Sequence, residues 1–188
     1  MSKKFLLLAS LLIVTRMYDF IATYLYTPVL SNETNILVRL FELNYAKIAV
    51  IQFFLLLLVI LCLKFYIKNN NNNNIINGNI KIQNIKDFIT YFHFGQKLNM
   101  LAFLYKVPKL KPIIYLIGYV ATYSLIIFSF IVGTSTIFLI KSNYYKTIYK
   151  SFGPYALYTI LLITVIVITI KFYKSEFLKY KTLSNSNK

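Results

Sequence analysis

Five acidic residues, one cysteine, one histidine and no tryptophan in 188 residues leave few side chains for chemistry. Cys62 has no second thiol in its own chain, which excludes an intramolecular disulfide and a cysteine-based metal centre. His93 is equally alone, so zinc or haem ligation of the ordinary kind lacks the nitrogen and sulfur ligands it needs. No glycine-rich phosphate loop is present, and any serine–histidine–acid arrangement would have to rest on His93 alone. His93 itself reads as an interfacial polar residue rather than a catalyst. The sequence therefore implies no metal, no cofactor and no catalytic set, and it argues against an enzyme.

What is abundant is apolar. Residues of apolar type make up 58% of the chain, the mean hydropathy is +0.62, and these residues fall in long blocks. That pattern predicts an all-α integral membrane protein, a four-helix bundle with one or two interfacial amphipathic helices, forming a single polytopic domain over 1–188. The other excess is positive charge, +16 overall. Most of the lysines and arginines flank the apolar blocks instead of forming a basic arm or helix, so nucleic acid is not the expected partner. Membrane lipids are, because lysine and arginine stay on the untranslocated side of a bilayer and sit near anionic headgroups.

Taken in order, Lys3-Lys4 and the run from Phe5 resemble the start of a secretory signal, but Arg16 stands where a small-residue cleavage site would be expected. An uncleaved first span over about residues 5–26 is the better reading, about 33 Å at helical rise against a hydrocarbon core of about 30 Å. Pro28 ends it, and Ser31 or Asn32 can cap a short interfacial helix over about 33–43 with Glu33 in its first turn. A second span covers 46–67, with Gln52 inside it and Lys64 able to reach the headgroups. The asparagine-rich stretch within 68–84 cannot bury apolar surface and reads as a disordered loop. Over 85–106, Lys86, Thr90, His93 and Lys97 fall on one side of a helical wheel, which predicts an amphipathic interfacial helix.

A third span over 112–140 carries no charge, and its Gly118, Thr122, Ser129 and Gly133 are small enough to let helices approach. A short tyrosine-rich link over 141–150 follows, then a fourth span over 153–173 with Pro154 in its first turn, then a basic tail from Lys171. Tyrosines at the ends of these spans fit an interfacial belt. Four spans put Lys3, Lys4, the lysines from 68 to 111 and those from 171 onward on one side, against Arg39, Lys47, Lys141, Lys146 and Lys150 on the other. Both termini are therefore expected to be cytoplasmic, in a bacterial inner membrane or its equivalent.

Arg16 and Asp19 need a reason to be in a span, since a charge near a bilayer centre costs about 2.5–3.5 kcal/mol on insertion scales. Three residues apart, they can pair, and Thr15, Asp19 and Thr23 recur at intervals of four to make one polar stripe. One reading makes this stripe glue between helices. The other folds the 33–43 helix back so that Glu33 and Asn35 join Arg16, Asp19 and Thr23 in a polar cluster at the outer face, where two carboxylates could exchange a proton.

The motif Arg16-Met-Tyr-Asp19-Phe-Ile-Ala-Thr23, followed by Thr27-Pro28-x-Leu30-Ser31-x-Glu33-x-Asn35, resembles the opening of small multispanning bacterial membrane proteins of unknown function. Their pattern is Asp-x-x-x-Thr and then Glu-x-Asn-Pro; Ile36 stands here in place of the proline. The resemblance covers about the first 60 residues. It implies that Asp19, Thr23, Glu33 and Asn35 form one constellation. A second, architectural similarity is to the four-span emopamil-binding and sigma-2 receptor class, which carries acidic residues in and just after a first span; this chain has no tryptophan to line such a cavity.

Two functions are thus expected to compete. The first is a non-enzymatic structural or accessory subunit of a membrane assembly, partnered by itself as a homo-oligomer or by another membrane protein. The alternative is an intramembrane binder of a lipid or sterol-like small molecule, or an isomerase, using Asp19 and Glu33. A proton-coupled transporter would need a longer relay of ionisable groups than one pair.

Overall fold

Apolar runs of this length leave the backbone one economical solution in lipid, the α-helix, because every N–H and C=O group must be paired within its own segment. The computed structural model describes residues 2–28, 44–72 and 82–186. Among them there is no strand, and six helices follow in order: α1 (Lys3–Tyr26), α2 (Tyr45–Asn72), α3 (Ile85–Phe94), α4 (Ala102–Tyr105), α5 (Leu110–Lys141) and α6 (Asn143–Ser186). The fold is an all-α helical bundle, and α1, α2, α5 and α6 are each long and apolar enough to cross a membrane. The short helix expected over 33–43, with Glu33 and Asn35, lies outside the described residues.

Helix α5 is the element the other long helices share: α1, α2 and α6 all pack on it, while α1 and α2 touch each other only lightly. Its sequence explains why. Gly118, Thr122, Ser129 and Gly133 are buried on its inward surface, with Ser124, Ser135 and Thr136 beside them. Small residues let neighbouring backbones come close, and the buried hydroxyls of Thr122 and Thr136 satisfy themselves on their own helix at Gly118 O and Val132 O. The outward surfaces of α2 and α6 are the reverse, carrying exposed Phe53, Phe54, Leu58, Leu162, Ile163 and Val167. Such faces suit lipid or a partner helix.

Several sequence expectations change at the ends of the bundle. Helix α2 runs on through the first asparagines to Asn72, where a loop from residue 68 is expected. The region 85–106 is not one helix: α3 stops at Gly95, whose φ of 76° is a left-handed conformation that glycine adopts without a Cβ clash. Nor do Thr90 and His93 lie on a solvent face, for both are buried with Phe88, Tyr91 and Phe92. The link expected over 141–150 shrinks to Ser142, and the following residues already belong to α6. Pro154 therefore sits inside that helix and not in its first turn.

The basic tail differs most. At helical rise α6 is about 66 Å long, roughly twice the thickness of a bilayer core. Its last third does not trail away but packs, with Ile168, Phe172, Glu176 and Tyr180 forming a buried stripe at intervals of four. Phe172 and Tyr180 of this stripe join Phe5 and Leu8 of α1, Leu63 and Tyr66 of α2, Phe88 and Phe92 of α3 and Tyr115 of α5 in one aromatic-rich core. Tyr115, expected in an interfacial belt at the start of the third span, faces into this core instead.

Candidate functional site

Arg16 and Asp19 lie one helical turn apart near the middle of α1, and Arg16 Nη1 donates to Asp19 Oδ2 at 3.1 Å. The same nitrogen donates to Ser129 Oγ on α5 at 3.0 Å. Ser129 is fully buried, and the Asp19 and Arg16 side chains are 13% and 21% exposed, so the pair lies largely between the two helices. Depth follows from position in the helix. Arg16 is close to the midpoint of α1 and Asp19 about 4.5 Å further along it.

The packing around the pair explains its enclosure. Gly133, one turn beyond Ser129, brings the α5 backbone against α1: a Cβ at Gly133 would stand 2.6 Å from the Tyr18 ring and 3.3 Å from Asp19 Cα. Tyr18 then reaches along α5 to share a hydrogen bond with Thr134 at 3.2 Å. Thr15, first in the polar stripe, turns its hydroxyl back to Leu11 O at 2.9 Å, which satisfies it locally. Thr23 contributes its carbonyl, which accepts from the Thr27 backbone at 2.9 Å and from Tyr45 Oη of α2 at 3.3 Å. Arg16 and Asp19 therefore meet each other and α5, Thr23 serves the α1–α2 contact, and Glu33 and Asn35 lie outside the described residues.

A second polar cluster sits at the end of the bundle where α5 begins, and no motif in the sequence singled it out. Glu176 is 3% exposed and accepts from Lys179 Nζ at 2.5 Å. Lys179 also bonds Asn70 Oδ1 of α2, and that oxygen accepts from Tyr115 Oη of α5 at 3.1 Å. One asparagine from the low-complexity run thus ties α2, α5 and α6 together. The available signal was the spacing of residues 168, 172, 176 and 180, which continues a helical stripe through the presumed tail.

His93 supplies the last polar contact of this end. Its Nε2 shares a hydrogen bond with Tyr173 Oη at 2.6 Å, and its ring packs edge-on against Phe92, Phe103 and Tyr173. Nδ1 is buried with no hydrogen-bond partner among the described residues. Burial in this aromatic surrounding lowers the imidazole pKa from 6.5 to about 4, which keeps the ring neutral at physiological pH. Among the described residues no group of three or more histidine, cysteine or acidic side chains could hold a metal ion.

Comparison with protein-family models, curated proteins and solved structures returned no match for this chain.

Proposed function

We propose that this protein is a non-enzymatic, membrane-embedded helical subunit, one whose internal polar groups hold its helices in register. The carrying observation is the Arg16–Asp19 pair met by Ser129, because Asp19 holds the guanidinium that donates across from α1 to α5. A catalytic acid or base needs access to a substrate atom, and here Gly133 brings a backbone against Asp19. The small-molecule reading would need Glu33 beside Asp19. The apolar outer faces of α2 and α6 support assembly with a second copy or another membrane protein.

The same reading includes a direction of threading. Lys3 and Lys4, Lys68, and the lysines of the loop before α5 and of the end of α6 flank one end of the bundle. Charge bias assigns that end, with both termini, to the cytoplasm of a bacterial inner membrane or an equivalent compartment.

The test is purification of the full chain from its native membrane in mild detergent, with mass measured by light scattering and copurifying proteins and lipids identified. A complex larger than one chain supports the subunit reading, and Asp19→Asn should weaken it through the α1–α5 contact. A monomer carrying a stoichiometric small molecule overturns it in favour of the binder. For threading, a reporter fused after Lys188 should stay protected in intact cells; labelling from outside would reverse the assignment.

A further inference from the structure

Between α3 and α5 the chain turns an apolar crest outward. Leu104 is 84% exposed and Val107 92%, with Met100, Leu101, Tyr105 and Leu110 exposed beside them. Isolated exposed leucines are ordinary, but this many adjacent large apolar side chains form a patch that calls for a cover.

The crest is rigidly held. Gly95 reverses the chain after α3, Leu98 N donates to Thr90 Oγ1 at 3.2 Å, and Lys109 N donates to His93 O at 2.9 Å. Phe103 stacks edge-on with Phe94 at a ring separation of 4.9 Å, and Ala102 is completely buried. Three ties to the end of α3 hold the backbone, so the apolar side chains project because the fold aims them, and not through want of structure.

Charge identifies what meets the crest. Lys97, Lys106, Lys109 and Lys111 are all exposed around it, and no acidic residue occurs between Asp87 and Glu176. An open groove of about 440 Å³ on the α3 side, lined by Lys86, Asp87, Lys97, Leu98, Asn99 and Met100, gives the crest one polar flank. The other flank is covalent: Leu110 begins α5, whose uncharged run starts at Pro112. If α5 crosses a bilayer, the crest lies where that bilayer begins. Apolar side chains over a ring of lysines, placed at headgroup depth, match an anionic lipid leaflet.

We infer that Met100–Leu110 is a preformed membrane-insertion loop that seats Leu104 and Val107 among the acyl chains of an anionic leaflet while Lys97, Lys106, Lys109 and Lys111 bind its headgroups. This rests on the reading of α5 as a span. It moves the interfacial role from α3, which is buried in the protein, to the loop after it. Anionic lipid would then stabilise the loop, and through Lys109 and Phe103 the seating of α3 on α6.

The absence of tryptophan makes the test direct, because Leu104→Trp introduces a sole indole, excited selectively over the tyrosines at the red edge of their absorption, at a site with room for it. The full-length variant is reconstituted into phosphatidylcholine vesicles with and without phosphatidylglycerol, and emission is read against lipids brominated at shallow and deep positions. Flotation with the vesicles after an alkaline wash reports insertion of the chain; failure there sinks the span reading, independently of the loop. Given insertion, the expected result is a blue shift and loss of emission to shallow bromines in anionic vesicles. Each Lys→Gln change at 106, 109 or 111 should lower the inserted fraction ratio about fivefold, the equivalent of about 1 kcal/mol per lysine. Water-like emission without quenching overturns the inference. So does a blue shift that bromines leave untouched, which would mean a protein surface covers the crest, and so does equal quenching in neutral and anionic vesicles.

Discussion

Gly118 of α5 lies flush against the Cys62 carbonyl of α2, so that a Cβ at Gly118 would overlap backbone atoms of the neighbouring helix. Backbone cannot move aside as a side chain can. Gly118→Ala should therefore destabilise the bundle by about 1–3 kcal/mol through overpacking. Trimming the nearby Tyr66 to alanine should not restore it, because the obstacle is the carbonyl. Unfolding by titration with SDS in mixed micelles, followed by helicity, measures both.

Gly133 offers the contrast. Its nearest neighbour is the Tyr18 ring, a side chain that can be removed. Gly133→Ala should cost stability in the same assay, and Tyr18→Ala should recover part of the loss, giving a favourable coupling in the double-mutant cycle. Simple additivity of the two changes would show that this contact does not set the α1–α5 spacing.

The Arg16–Asp19 pair predicts an asymmetry between breaking and replacing it. Asp19→Ala leaves the half-buried Arg16 with the Ser129 hydroxyl at 3.0 Å, and loss of one member of a buried pair costs up to about 3–5 kcal/mol. Exchanging both, Arg16→Met with Asp19→Leu, should be close to neutral for stability. If the double exchange preserves folding but abolishes assembly or ligand copurification, the charges have a role beyond packing.

His93 makes stability depend on pH in a definite direction. Its folded-state pKa, about 4, lies below the ordinary 6.5, so the unfolded chain takes up a proton first as pH falls. Stability from this group is intact above pH 6.5, declines between 6.5 and 4, and levels off below. At about 1.4 kcal/mol per unit, the full effect is on the order of 3 kcal/mol. Unfolding midpoints of the native chain and of His93→Phe, compared across that range, should diverge as pH falls; parallel curves would refute the buried neutral imidazole.

Glu176 should matter locally. Glu176→Ala removes the acceptor of Lys179 and leaves the ammonium beside Asn70, loosening the last third of α6 from α2 and α5. Hydrogen exchange should rise over 168–184 while the centre of α5 stays protected. Uniform exchange throughout would argue against the cluster as a local clasp.

Much of this protein was legible without coordinates, and the reason is the solvent its helices suit. A backbone in hydrocarbon must pair its own polar groups, so uninterrupted apolar runs determine helices, their number and their approximate places. Arg16 and Asp19 were legible as a pair because an interval of three puts them on adjacent helical positions. Gly118 and Gly133 could be recognised as points of approach from size alone.

The tertiary structure decided what local pattern leaves open. Hydropathy reads a lysine-rich segment as solvated, but Ile168, Phe172, Glu176 and Tyr180 share one buried face, and the arrival of α3 and α2 makes Phe172 and Tyr180 part of a core. Thr90 and His93 look like the wet side of an amphipathic helix until Leu98 folds back onto Thr90 and Tyr173 and Phe103 close over His93. The sequence of the first span determined by itself that a charged pair would enter the membrane-length helix. That Ser129 of α5 would receive it was set by contacts between residues more than a hundred positions apart, which no local periodicity encodes.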